Sequence, residues 1–398
     1  MNQSNVLLMF FQSLEAFSEQ GEGQHVHHGR SRKVLTIAAH KTRGWQGPAP
    51  IPPGARSTSP PSKTARLRTP WARGSHRTRG FAGQFDRISP PIADPADKRF
   101  EGVTEDWTSP ALGTSHLKPV RPLVMIDEHP AYTVELVRVQ WRWGDPLDLY
   151  VMRPKGVKKP PVILHLYGYP ADTDAFKNET FQRALIKDGF AAVGFVSALT
   201  GHRYHDRPMK EWFLSELRES LATSAHDVQM VLNYLAARGD LDMSRVGTFG
   251  QGSGASIAIL ASAVDPRIKV LDVLDPWGDW PTWMATSPFV PEDERAEYVK
   301  PEFLKKAGAL EPVDWLPKIQ ANKFRLQQNI FETDTPKAAK ERLRAAVPAG
   351  ATVVLYQTLP EFNAAFPNSA NLDWMERELQ SPPEPRAANG PATTFTQQ

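Results

Sequence analysis

The 398 residues include no cysteine. That excludes a disulfide framework, a Cys-ligated zinc site, an iron–sulfur cluster and a cysteine nucleophile. No apolar run approaches the roughly 18 residues that mark a spanning helix, so no membrane span is expected. No phosphate loop of the form Gly-x4-Gly-Lys-Ser/Thr occurs. Acidic residues are scarce at the start: residues 1–80 hold 12 Lys/Arg against Glu15, Glu19 and Glu22. This segment carries +9 and the rest −6, so the net charge of +3 joins a basic tail to a mildly acidic body. No specific nucleic-acid binding follows from such a sum. Histidine is absent from every position after His226.

What is present divides the chain. Seven prolines stand between Pro48 and Pro70 among Ser, Thr, Gly and Arg, leaving little apolar surface to offset ordering entropy. Residues 1–80 are therefore expected to be a disordered tail, 81–129 an irregular lead-in, and 381–398 a second disordered tail. The apolar Val6–Phe11 lacks a preceding basic region, which argues against a secretory signal. Absence of cysteine fits either redox compartment, with a cytoplasmic location slightly favoured. His25, His27 and His28 are read as incidental in a solvated tail.

From about residue 130 the pattern alternates. Tyr132–Val139 and Leu147–Met152 look like half-buried strands, and Pro161–Leu166 (PVILHL) like a buried parallel one. Helical spacing follows at Glu179–Asp188 and Thr223–Ala237, with strands at Phe190–Val196, Arg245–Phe249 and Ile268–Leu274. Ser253–Val264 reads as a helix of small residues. The alternation continues through Lys323–Phe331, Thr335–Ala346, Ala351–Gln357 and Asn371–Leu379. This predicts an α/β fold over 130–380, with a mostly parallel twisted sheet and helices on both faces. Trp277–Ile319 interrupts it as a small helical cap over the carboxyl edge.

The segment Arg245-Val-Gly-Thr-Phe-Gly-Gln-Gly-Ser-Gly254-Ala-Ser-Ile-Ala258 runs strand, tight glycine turn, small-residue helix. That is the build of a nucleophile elbow. Over residues 130–380 the chain resembles the α/β-hydrolase superfamily, especially its dienelactone-hydrolase, prolyl-oligopeptidase and acetyl-xylan-esterase branches. Leu166-Tyr-Gly-Tyr-Pro170 resembles the family's oxyanion loop. The resemblance implies oxyanion-type backbone N–H groups at Tyr169 and Ser253.

The family pattern is Gly-x-Ser-x-Gly, and here Gly252 stands at the nucleophile position. Ser253 is either a relocated nucleophile or a helix-cap or first-turn serine. The family's base should follow the last strand, where Asn363 is the match and Glu361 the alternative. Asp334 matches the family's acid and also fits a helix N-cap. Asp275 is a second carboxylate expected at the carboxyl edge, and Ser197 a further candidate nucleophile. His202 and His205, with Asp206, are candidates for a relocated base or a metal pair, though a surface loop accounts for them and no metal or cofactor is expected. His165 is read as a satisfied buried histidine, and His226 as facing solvent or the sheet rim. Trp277, Trp280 and Trp283 either line an apolar ligand pocket or pack the cap.

Three functions follow. In the first, the protein has a degenerate Ser-Asp-His triad and binds a small molecule or a partner. In the second, it hydrolyses an ester or peptide-like bond through relocated Ser253 with His202 or His205 and Asp275 or Asp334. In the third, the basic tail works and the body is a scaffold. The sequence leaves the oligomeric state open.

Overall fold

The computed structural model describes residues 105–113, 122–142, 145–168, 176–186, 188–199, 214, 216–365 and 370–380. Nine strands form one sheet: β1 (Leu123–Glu128), β2 (Tyr132–Arg142), β3 (Asp145–Pro154), β4 (Pro161–Leu166), β5 (Ala191–Phe195), β6 (Asp242–Gln251), β7 (Ile268–Leu274), β8 (Lys323–Asn329) and β9 (Thr352–Tyr356). Their order is β1-β2-β3-β5-β4-β6-β7-β8-β9. The first three pair antiparallel, as do β3 and β5. From β5 to β9 every pairing is parallel. All six residues of β4 are buried, as a continuous apolar run in a central parallel strand should be.

The chain runs from β4 outward to β5 through α1 (Glu179–Ile186), then crosses back to β6 through α2 (Leu217–Arg238). The direction of winding therefore reverses between β4 and β6. A crevice opens at such a switch point, outside the carboxyl ends of the strands. Helix α3 (Ser253–Val264) leaves β6 at that point. The cap includes α4 (Trp280–Thr286), α5 (Arg295–Tyr298), α6 (Pro301–Ala307) and α7 (Pro312–Trp315). After β8 come α8 (Lys337–Ala345), α9 (Leu359–Ala365) and α10 (Ala370–Gln380). One apolar cluster joins α2, α3 and the cap to the sheet, and a second joins α1, α9 and α10 to its other face. Among the described residues no helix is long and apolar enough to cross a membrane.

Two features depart from the sequence-based expectation. β1 lies inside the stretch expected to be an irregular lead-in; its Val124 and Ile126 are exposed, so strict alternation of buried and polar residues is missing. Helix α2 begins six residues before the predicted start and is buried on nearly every side. Two of its polar residues, His226 and Gln229, face a strap, residues 105–113, that lies along it. Gln229 Nε2 donates to Pro110 O (2.8 Å) while its Oε1 accepts from Leu112 N (3.0 Å).

Candidate active site

Gly252 sits between β6 and α3 at φ 56°, ψ −123°. Side chains rarely adopt a positive φ of this kind, whereas glycine does so at little cost. The surrounding frame is equally tight. A Cβ on Gly250 would stand 2.6 Å from Ala255 Cα, and one on Gly254 would stand 2.2 Å from Leu166 O. Both flanking glycines thus let α3 press against β4 and β6. Gly168 closes the arrangement, because its Cβ would lie 2.7 Å from Gln251 O and 3.4 Å from Gly252 Cα. The Tyr167–Gly168 segment therefore touches the turn itself. Tyr169, the next residue, lies outside the described residues.

Ser253 is the first residue of α3, with Gly252 in the cap position, and it is fully buried. Ala255 N and Ser256 N donate to Gly252 O (3.1 and 3.2 Å). The N–H groups of Ser253 and Gly254 precede these bonds, at the positive end of the helix dipole. Ser256 Oγ donates to Trp277 O (2.7 Å), tying α3 to the loop after β7. Ser197, beyond β5, is buried and its Oγ accepts from Leu199 N (3.3 Å).

Asp275 directly follows β7, with φ 46°, and is buried. Its oxygens accept from Asn329 N (2.8 Å) and Asn329 Nδ2 (2.6 Å). Burial, then the Glu332 charge, pushes its carboxyl up to about 7. Lys340, on α8, is the residue sequence reasoning missed. Its Nζ donates to Asn329 O (2.6 Å), Glu332 O (2.7 Å) and the Glu332 carboxylate (2.9 Å), and lies 3.8 Å from Asp275. This one ammonium cinches the turn that carries Asp334. Its signal was faint: a basic stretch, Lys337–Arg344, in which one lysine turns inward. Asp334 is buried, its backbone O accepts from Ser287 Oγ (2.8 Å), and the cap position of α8 belongs to Pro336 instead.

Asn363 and Glu361 lie exposed on α9, and the Glu361 carboxylate accepts from Gln357 N (2.7 Å). His202 and His205 lie outside the described residues. The described histidines stand elsewhere. His129 stacks on Tyr132 at 4.3 Å in the turn after β1. His165 is buried in β4 beside Tyr167, Phe176 and Phe249, and neither ring nitrogen has a hydrogen-bond partner among the described residues. It is buried as expected, but not satisfied. His226 does not face solvent: it is fully buried, with Nδ1 3.0 Å from Glu105 and Nε2 3.0 Å from Ser109 O. The strap covers the helix face that spacing alone leaves exposed. Trp277, Trp280 and Trp283 are fully buried, their rings 4.9 Å (Trp277–Trp283) and 5.9 Å (Trp280–Trp283) apart.

A strand–turn–helix elbow at the switch point of a parallel sheet, facing a segment from the neighbouring strand, invites comparison with solved folds. The chain matches an acetyl xylan esterase from Paenibacillus sp. R4 with a TM-score of 0.53 and 17% identity, covering 65% of this chain and 89% of that one. The fold is that of the α/β-hydrolases. Acetyl xylan esterase 1 from Thermoanaerobacterium sp. JW/SL YS485 matches with a TM-score of 0.50 and 14% identity, covering 66% of this chain and 89% of that one. In sequence, YtaP of Bacillus subtilis (strain 168), provisionally designated a hydrolase, is 25% identical over 162 residues. That match spans 36% of this chain and about half, 53%, of the relative. No protein-family model matches the chain.

Proposed function

We propose that this α/β-hydrolase-fold protein does not form an acyl-enzyme, and instead binds a small molecule bearing an ester or carboxyl group at the carboxyl edge of its sheet. The observation that carries this is Gly252, which occupies the apex of the elbow without a hydroxyl. Without a nucleophile and an adjacent base, a triad site keeps only its oxyanion and binding effects. The esterase names of the two solved neighbours point to the ligand class. The amides at the start of α3 would hold a carbonyl or carboxylate oxygen. Asp334 and Asp275 would shape the wall of the site. Burial of Ser253 in the first turn of α3 weighs against its use as the attacking group.

A fluorophosphonate probe on the full chain tests this, together with a Gly252→Ser variant. The expected outcome is no labelling of the native protein, and little ester turnover by Gly252→Ser because no imidazole follows the last strand. Stoichiometric labelling of the native protein at one serine would overturn the proposal.

A further inference from the structure

His226 has two ring nitrogens and two partners on the strap, and neither partner can donate. Nδ1 lies 3.0 Å from Glu105 Oε2, and Nε2 lies 3.0 Å from the backbone O of Ser109. A backbone carbonyl only accepts, so Nε2 carries a proton. Glu105 could meet Nδ1 as a carboxylic acid, but Arg142 excludes that. Its Nε donates to Glu105 Oε1 and its Nη2 to Glu105 Oε2 (3.1 Å), a two-point pair that calls for the carboxylate. Burial opposes the charge, yet the His226 hydrogen bond and Arg142 hold the Glu105 carboxyl down to about 2. Nδ1 therefore carries a proton as well, and the strap is bound to an imidazolium.

The surroundings favour that charge. Among the described residues, the strap contributes Glu105 and Asp106, β2 contributes Arg142, β3 contributes Asp145, and α2 contributes Asp227 and Arg218. Asp227 accepts from Trp141 Nε1 (2.8 Å) and from Arg142 Nη1, and Asp145 lies 3.6 Å from that same nitrogen. Asp106 is exposed, and its carboxyl is held below its ordinary value first by its Thr108 hydrogen bonds, and also by the charges of His226 and Arg218. Loss of either imidazolium proton turns a 3.0 Å hydrogen bond into two facing lone pairs, at Glu105 or at Ser109. Both of those groups lie on the strap. Arg142 keeps Asp227 and Asp145 when Glu105 leaves, so the strap can part from α2 while the body stays folded. Gln229 adds only neutral bonds to the strap, with Pro110 O and Leu112 N.

We infer that residues 105–113 form a proton-dependent latch: protonated His226 holds the strap on α2, and departure of that proton releases it. The closed contact needs the proton, so the latch is shut at low pH and lost as pH rises. Helix α2 packs against α3, the helix that leaves the elbow, so the latch braces the layer behind the candidate site. It operates whether or not that site holds a carboxyl compound.

Hydrogen exchange of the full chain, corrected for the intrinsic pH dependence of amide exchange, tests the latch. Protection of residues 105–113 should fall roughly tenfold between about pH 5.5 and 8.5, as losing one charge-assisted hydrogen bond requires, while protection of β6 holds. His226→Gln keeps one donor and cannot titrate, so its strap protection should not change over that range. Should the variant fail to fold, NMR of the histidine ring nitrogens in the native protein decides. With the strap closed, the ring in contact with Ser109 should carry protons on both nitrogens. Strap protection that ignores pH, a fall shared equally by β6, an equal fall in His226→Gln, or a neutral ring under a closed strap would each overturn the inference.

Discussion

Replacing His165 with leucine puts the burial of an unpartnered imidazole to a quantitative test. The ring lies in the middle of β4, 1% exposed, against Tyr167, Phe176 and Phe249. Both nitrogens lack a partner among the described residues, and burial pushes the imidazole down to about 3 from an ordinary value of 6.5. At pH 8 the ring is neutral in both folded and unfolded chains. An unsatisfied buried group costs about 1–3 kcal/mol, so His165→Leu should stabilise the fold by that amount. Below pH 6.5 the unfolded chain takes up a proton that the folded chain refuses until about pH 3. The folded pKa is depressed, so native stability falls as acid is added, by about 1.4 kcal/mol per pH unit. At pH 5, one and a half units below the unfolded value, the histidine therefore costs about 2 kcal/mol more than at pH 8.

Asp275 has the opposite sign. Its folded pKa is raised, so between 3.8 and about 7 the folded chain holds the extra proton and stability falls as pH rises. The native protein alone would show a muted pH dependence. The difference between native and His165→Leu cancels the Asp275 contribution and isolates the imidazole. Urea unfolding followed by tryptophan fluorescence at pH 8 and pH 5 measures that difference. The advantage of the variant should grow by about 2 kcal/mol on acidification. A difference that does not change with pH would mean that the ring protonates in place or is hydrogen-bonded, and the reasoning would fail.

Two further perturbations address the strap and the turn. Glu105→Ala would leave Arg142 and His226 without their shared carboxylate, which burial has not prevented from titrating down at about 2. Breaking such a buried cluster should cost about 3–5 kcal/mol in urea unfolding, and a loss under 1 kcal/mol would show that solvent replaces the pair. Gly254→Ala forces a Cβ to 2.2 Å from Leu166 O, so β4 and α3 must separate; the variant should be strongly destabilised or insoluble, and a native melting temperature would refute the close packing.

Much of this architecture was legible in the sequence because local pattern and tertiary role agree. Pro161–Leu166, Ser253–Val264 and Ile268–Leu274 appear with the predicted boundaries. Each is either an apolar run bounded by a turn or a stretch of small residues, and neither suits the surface. The departures share one cause, which is a partner distant in sequence. His226 looks solvent-facing until Glu105 and Ser109 cover it from over a hundred residues away. Lys340 looks like one more exposed lysine on a basic helix until the turn at Asn329 and Glu332 closes on its ammonium. At the site, the glycine spacing marks the turn, and no spacing rule marks the Asp275–Lys340–Glu332 group that braces it.

Persistence of the elbow is therefore weak evidence about chemistry. A Cβ added to Gly168, Gly250 or Gly254 would stand only 2.2–2.7 Å from a backbone atom, a closeness that any chain with this sheet and this helix must accommodate, whatever it catalyses. Lys340 braces the Asp334 turn by bonding backbone carbonyls and Glu332, an arrangement that stabilises the fold without a substrate. The apex is different. A serine held at φ 56° would be strained by about 1–3 kcal/mol, a cost that a covalent mechanism justifies and a binding site does not. Glycine at that position removes the hydroxyl and the strain together. On the proposed reading, glycine is also the less strained residue at the apex, and placing serine there without an adjacent base would introduce the strain while leaving the hydroxyl inert. On that reading, chemistry at this fold is read from the apex side chain and its base, and Gly252 offers no side chain there.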